Sequence, residues 1–410
     1  MAIGSDPEKA PDPLRPASQE TCRHGESLTL GPGCGRGADF RSSDEAKPGA
    51  QPRVRRVVLL EPEMPLPDVR PTLPLFDSVA AFEAALATLP APDAASIDAA
   101  AARQRQLTKP PGSLGRLEDL AIFLAGWQRR ERPSLERAKA VVFAGNHGVA
   151  AQGVSAFPPE VTAQMVANFA AGGAAINALT GAIGMPLDVI ALDLDRPTAD
   201  FTAAPAMTEA ECLAALRAGA AVVTPDTDLL LLGEMGIANS TAAAALCLRS
   251  FGGSATGWAG PGTGLDGEGV SRKAAVIARA IGHHADASAT PFETLRRVGG
   301  RELAAIAGAV LAARHAGVPV LLDGFICCAA IAPLAAAAPA IVDHCIAGHC
   351  SAEPGHARLL ERLGLDPLLR LNLRLGEASG AAVAAAVVRS ALAAHNGMAT
   401  FAEAGVSTGG

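Results

Sequence analysis

Tyrosine is absent from the 410-residue sequence, and aromatic residues make up only 3% of it. A stacking surface for single-stranded nucleic acid needs more aromatic faces than that. No long run of Lys or Arg occurs, and the formal net charge is −7. The electrostatic footprint of a protein that binds DNA, RNA or anionic lipid is therefore missing. The eight cysteines form no CxxC pair, and a chain of this length needs no disulfide staples, which fits a reducing, cytoplasmic compartment. The N-terminus lacks the basic-then-apolar pattern of a signal peptide. There is no GxxxxGKS/T, which argues against a P-loop nucleotidase. Gly324 to Val342 is nearly uncharged and approaches the length of a bilayer span. Pro333 and Pro339 interrupt it, and it reads instead as a buried strand followed by a core helix.

What the sequence has is apolar mass. Hydrophobic residues are 49% of the chain, enough for a large core. Residues 1–70 differ, being rich in Pro, Gly, Arg and acidic residues without periodicity, and predict a disordered extension. Met64 is a candidate natural start. From Phe76 the pattern becomes regular. Apolar runs at Ala138–Ala144, Leu187–Leu194, Asp228–Leu232 and Val318–Leu322 predict strands. Helical stretches separate them, among them Pro159–Leu179, Met207–Ala218, Ser240–Ser250 and Gly300–Ala316. Such repetition predicts an α/β fold with a parallel sheet and helices on both faces. Ligands in such folds sit at the carboxyl ends of strands. The loops Gly145–Gly148, Gly233–Asn239 and Asp323-Gly324 fall there.

Two stretches share one design. Gly233-Glu234-Met235-Gly236 follows four apolar residues and leads through Asn239-Ser240-Thr241 into a helix. Leu371–Leu375 alternates and ends in Gly376-Glu377, after which small residues open an Ala-rich helix. They suggest two carboxylates and two anion-binding helix ends facing one cleft; solvated glutamates are the plainer reading of either alone. Gly262-Thr263-Gly264-Leu265-Asp266-Gly267 is a literal GxGxxG, but no strand precedes it, so a dinucleotide site is disfavoured. A loop approaching a phosphate or ribose, with Lys273 just inside the next helix, fits better; a plain flexible loop remains open. His344-Cys345 and His349-Cys350 lack the separated ligand pairs of a structural zinc site, and no metal site is expected. His147 stays open as a general base, a ligand or a turn residue. The one GxSxG, from Gly405, ends the chain without the helix a nucleophile elbow requires.

Taken in order, Thr108–Gly115, Ala144–Gly148, Gly153–Pro158, Gly172–Asn177, Gly233–Thr241, Gly262–Gly264, Ser351–His356 and Arg374–Gly380 resemble the nicotinate-nucleotide–dimethylbenzimidazole phosphoribosyltransferase family. The resemblance spans roughly Phe76 to Ser407. It implies a doubly wound, Rossmann-like parallel sheet with a smaller helical domain from the chain ends, usually in a homodimer. It also implies transfer of the phosphoribosyl group of nicotinate mononucleotide to 5,6-dimethylbenzimidazole, giving α-ribazole 5′-phosphate for cobalamin, with no cofactor and no metal. Carried over by motif, the catalytic base falls on Glu377, with Glu234 assisting. Base contacts fall on Ser155, Gln164, Met235 and Leu375. Phosphate and ribose contacts fall on Gly236, Gly262, Lys273 and Ser351. Glu403 is a rival carboxylate. Asn146 departs from the family, where Asp is more usual, and implies a changed base or ribose contact. The competing readings are a non-catalytic nucleotide- or base-binding protein on the same fold, and an NAD-dependent oxidoreductase.

Overall fold

The computed structural model describes residues 56–60 and 76–407. Six strands form one sheet: β1 (Arg56–Leu60), β2 (Lys139–Ala144), β3 (Leu187–Leu192), β4 (Leu230–Met235), β5 (Val320–Leu322) and β6 (Cys345–Ala347). Their order is β1-β3-β2-β4-β5-β6, and every pairing is parallel. Parallel strands are buried on both faces and so read as continuous apolar runs. β4 illustrates this. Leu230 and Leu232 enter the core on one side, Leu229 and Leu231 the core on the other, and all four are fully buried. The first core lies under helices that include Glu209–Ala220, Asn239–Phe251 and Arg301–Ala316; the second lies under Arg116–Gln128, Glu160–Ala171, Ala175–Ala182 and Ser379–Gly397. The sheet is therefore doubly wound, as expected. The direction of winding reverses between β2 and β4, which makes the ends of those strands the topological switch point.

Helices from the two chain ends meet. Arg103, on Ala94–Gln106, donates from Nε to the carbonyl of His395 at 2.8 Å and from a terminal nitrogen to that of Met398 at 3.1 Å. Leu107 and Thr400 form an isolated antiparallel bridge. This helical part is continuous with the sheet, because Leu124 of Arg116–Gln128 and Val388 of Ser379–Gly397 belong to the sheet's second core.

Several expectations need correction. β1 lies inside the segment whose composition predicts disorder; it pairs with β3 at the sheet edge. The rest of 1–70, Met64 included, lies outside the described residues. Pro159–Leu179 is two helices, because Gly172 adopts φ +81° and ends the first. Gly324–Val342 contains no strand: Phe325–Ala330 and Ala332–Ala337 are short helices, followed by a tight turn of helix at Pro339–Val342. Among the described residues, no helix is long and apolar enough to cross a membrane. The alternating Leu371–Leu375 is not a strand, and Leu371 and Leu375 are each 55% exposed.

Candidate active site

β4 extends through Glu234 and Met235, so Glu234 stands on the strand end itself and not in a turn after it. A cavity of about 440 Å³ opens there, at the carboxyl ends of β4, β5 and β6. Met235, Gly236, Asn239 and Ser240 line it where β4 passes into the helix Asn239–Phe251; Gly262 and Thr263 face them. Gly324 and Phe325 follow β5, and His349, Ser351 and Glu353 follow β6. Arg374, Leu375, Gly376 and Glu377 close one side, and Phe157, Val161 and Met165 supply an apolar wall. A second hollow, of about 380 Å³, lies against β6 beside Arg116 and Phe123. It holds neither Gly-Glu pair.

The two Gly-Glu pairs converge, as the sequence suggests. The Glu377 amide donates to the Glu234 carbonyl at 3.3 Å, and a Cβ at Gly376 would lie 2.5 Å from Glu234 Oε1. Gly376, Glu377 and Ala378 all have positive φ, at +85°, +61° and +60°. Ala238, at the matching place after β4, has φ +74°. Non-glycine residues in this region cost ~1–2 kcal/mol each, and such strain persists where the surroundings enforce it, most often at functional sites.

Glu234 is 5% exposed, and burial raises its pKa to about 8. A hydrogen bond from Asn239 Nδ2 works against that rise, while the charges of Asp323, Glu302 and Glu377 add to it. Burial also raises Glu377, to about 7, with the Asp323 charge contributing. No described group donates a hydrogen bond to the Glu377 carboxylate, which faces the cavity. Near neutral pH one of the two acids is mostly protonated and the other is available as a base.

The Glu234 shift carries a stability consequence. Its folded pKa lies above the unfolded value, so folding is favoured where the carboxyl is neutral and loses ground as pH rises from about 4 through about 8. Glu234→Gln is expected to melt higher than the parent at pH 8.5 and at nearly the same temperature at pH 4.5. Thermal unfolding at the two pH values checks this; an equal or lower melting temperature at pH 8.5 contradicts it.

Seven of the sequence's site residues line this cavity: Glu234, Met235, Gly236, Gly262, Ser351, Leu375 and Glu377. Three do not. Ser155 stands one step behind, its Oγ 3.0 Å from Thr263 Oγ1. Gln164 is exposed on Glu160–Ala171, where Val161 and Met165, four residues apart, take the cavity face. Lys273 is wholly buried behind the Gly262 loop. Its Nζ bonds Ser240 Oγ at 3.1 Å and the Gly260 carbonyl at 2.9 Å, and burial lowers its pKa to about 8. It acts on the cavity through Ser240.

Other candidates fall away. Glu403 is exposed and spent on a capping box with Thr400. His147 is buried against Glu302, Nε2 to Oε1 at 2.6 Å, and does not line the cavity. Asn146 donates to the Leu194 carbonyl at 2.9 Å and makes no cavity wall, which corrects the expected base or ribose contact. His344 packs on Trp127, away from His349, and no group of metal-ligating side chains assembles among the described residues. The second expected anion-binding helix end is already used: Asp323 Oδ1 accepts the Ala381 amide at 2.9 Å in the first turn of Ser379–Gly397. Sequence reasoning missed Glu353, Phe157, Val161 and Met165, and weighed His349 only as a metal ligand. Glu353, whose Oε1 accepts the Gly262 amide at 2.9 Å, gave no signal beyond its place in Ser351–His356.

Comparisons with known proteins give the family. Residues 89–406 match the model of a family described as phosphoribosyltransferase. Over 334 residues the chain is 70% identical to a nicotinate-nucleotide–dimethylbenzimidazole phosphoribosyltransferase of Novosphingobium aromaticivorans, covering 82% of this chain and 99% of the relative. It is 58% identical to the enzyme of the same name from Ruegeria pomeroyi over 337 residues, covering 82% and 100%. A crystal structure of the Thermus thermophilus enzyme of that name superposes with a TM-score of 0.71 at 42% identity, covering 77% of this chain and all of that one.

Proposed function

The chain belongs to the nicotinate-nucleotide–dimethylbenzimidazole phosphoribosyltransferase family, and from that premise we propose that its cavity performs the transfer with Glu377 as the base. The enzyme moves the phosphoribosyl group of nicotinate mononucleotide to 5,6-dimethylbenzimidazole. A benzimidazole nitrogen attacks the anomeric carbon with its lone pair. The bond to nicotinate breaks, and its electron pair returns to the pyridine nitrogen, so the leaving group departs without an added proton. Attack from the opposite face inverts the β linkage to α. The opposite benzimidazole N–H gives up its proton, which Glu377 accepts.

One observation carries this reading: two buried carboxylates meet at one cavity, and no described residue donates a hydrogen bond to the Glu377 carboxylate. A base with a pKa near the working pH suits general-base catalysis. Glu234, raised further, stays largely protonated at neutral pH and offers an O–H. Phe157, Val161, Met165, Met235 and Leu375 form the apolar slot a planar dimethylated ring requires. Gly236, Ser240, Gly262 and Ser351 line the polar side, where the phosphate and ribose belong, with Lys273 charging Ser240 from behind. Incubation with both substrates and mass analysis for α-ribazole 5′-phosphate tests the assignment. Binding without product would instead favour a non-catalytic protein on this fold.

The same reading includes a homodimer in the cytoplasm. Phe157 and Leu375, at 52% and 55% exposure on the cavity rim, are apolar surface that a second copy would cover. The six described cysteines are free thiols, five of them buried, which suits a reducing compartment. Sedimentation velocity checks the dimer.

The catalytic unit is assigned to 76–407, with 1–70 dispensable for chemistry. A chain beginning at Met64 lacks β1, which among the described strands pairs only with β3 and is separated from β4 by β3 and β2. It is expected to keep near-parent turnover, measured by product formation at saturating substrates. A soluble, folded but inactive truncation would contradict the assignment.

A further inference from the structure

Asp323 directly follows β5 and is wholly buried. Its Oδ1 accepts the amide of Ala381 at 2.9 Å. Its Oδ2 is buried and has no hydrogen-bond partner among the described residues. His349 comes nearest as a counter-group, yet its Nε2 stops 3.6 Å from Oδ1, and both ring nitrogens of His349 are without hydrogen-bond partners. That ring is wedged under the helix Ser379–Gly397: a Cβ on Gly380 would lie 2.1 Å from His349 Cδ2. The helix start that carries the Gly376–Ala378 turn therefore rests on Asp323 and His349 together.

A carboxylate that only capped a helix would not need a second oxygen left bare in the interior, since an unsatisfied buried acceptor costs ~1–3 kcal/mol and more when charged. We infer that Asp323 is a positioning residue for the base. Its carboxylate ties the helix start that follows the Glu377 turn to the end of β5, and its charge acts on Glu377. The inference rests on Glu377 being the base.

The groups facing Glu377 come from every neighbouring element. Glu234 stands on β4, with Glu302 of Arg301–Ala316 adding its charge there. Asp323 follows β5. His349 follows β6, with His356 behind it held neutral by burial, its pKa near 3. Glu353 and Arg374 sit across the cavity. Of these, Asp323 is the charge that raises Glu377 after burial itself.

The experiment is the pH profile of kcat/KM for nicotinate mononucleotide in the full chain, for the parent, Asp323→Asn, Asp323→Ser and Glu377→Gln. In the parent the acid limb is expected near pH 7. Asn keeps an oxygen for the Ala381 amide but removes the charge, so the limb is expected to move down by about one pH unit. The plateau falls as well, because a weaker base takes the proton less readily. A folded Asn or Ser variant whose plateau falls while its limb stays in place would show a merely structural role and overturn the inference. Should neither variant fold, the parent profile decides: a limb near pH 4–5, the ordinary glutamate range, overturns it. Persistence of the limb in Glu377→Gln would be a failure of the base assignment itself, a result distinct from an unmoved limb in Asp323→Asn.

Discussion

Glu377→Gln is expected to lower kcat by ~10²–10⁴-fold, the usual contribution of a positioned general base. The amide keeps the size and shape of the carboxyl but cannot accept the benzimidazole proton. The KM for nicotinate mononucleotide is expected to change little, because the proposed phosphate contacts are Gly236, Ser240, Gly262 and Ser351 and not this carboxylate. Burial of Glu377 is relieved of a charge by the substitution, so the variant is expected to fold and to melt no lower than the parent above pH 7. Glu234→Gln is expected to cost less in kcat, as the supporting member of the pair. Steady-state kinetics and thermal unfolding followed by circular dichroism check these points. Near-parent turnover in Glu377→Gln would move the base to another residue.

Gly233→Ala is expected to be nearly as damaging, although it adds one methyl group outside the cavity. Gly233 lies in β4 between Leu232 and Glu234. A Cβ there would stand 2.2 Å from the Ala378 amide nitrogen and 2.6 Å from Ala378 Cβ, where ordinary contact begins at 3.4 Å. The turn carrying Glu377 must retreat by about an ångström. A misplacement of that size can cost ~10²-fold in rate, and the overpacking itself ~1–3 kcal/mol in stability. Ala378→Gly in the same chain removes one of the three clashing atoms, the Cβ, at a position whose φ of +60° suits glycine. It is expected to restore part of the activity. A Gly233→Ala variant with parent kcat would mean that the two Gly-Glu pairs are not held by this contact.

How far the sequence foretold the site depends on where each residue sits. Glu234 and Glu377 are legible because glycines and small residues mark strand ends and helix starts, and a doubly wound sheet brings such ends together. The apolar wall is not legible. Val161 and Met165 have the spacing of any buried helix face, and only the tertiary structure turns that face toward a cavity. Gln164 fails for the same reason, since one residue along a helix rotates a side chain by about 100°. Lys273 lies behind the cavity wall and not on it, because burial depth is invisible in a motif. β1 escapes notice because a five-residue strand is short against the Pro- and charge-rich composition around it. Asp323 is marked by position alone; its bare oxygen appears only once the helix Ser379–Gly397 is docked on it.

The most direct test of the account is a crystal structure with 5,6-dimethylbenzimidazole bound. The ring is expected between Met165, Met235 and Leu375, with one ring nitrogen within hydrogen-bond reach of a Glu377 carboxylate oxygen, ~2.6–3.2 Å, and the other pointing toward Gly262 and Ser351. A ring that turns both nitrogens away from Glu377, or that binds at Glu353 with Glu377 left facing solvent, would contradict it.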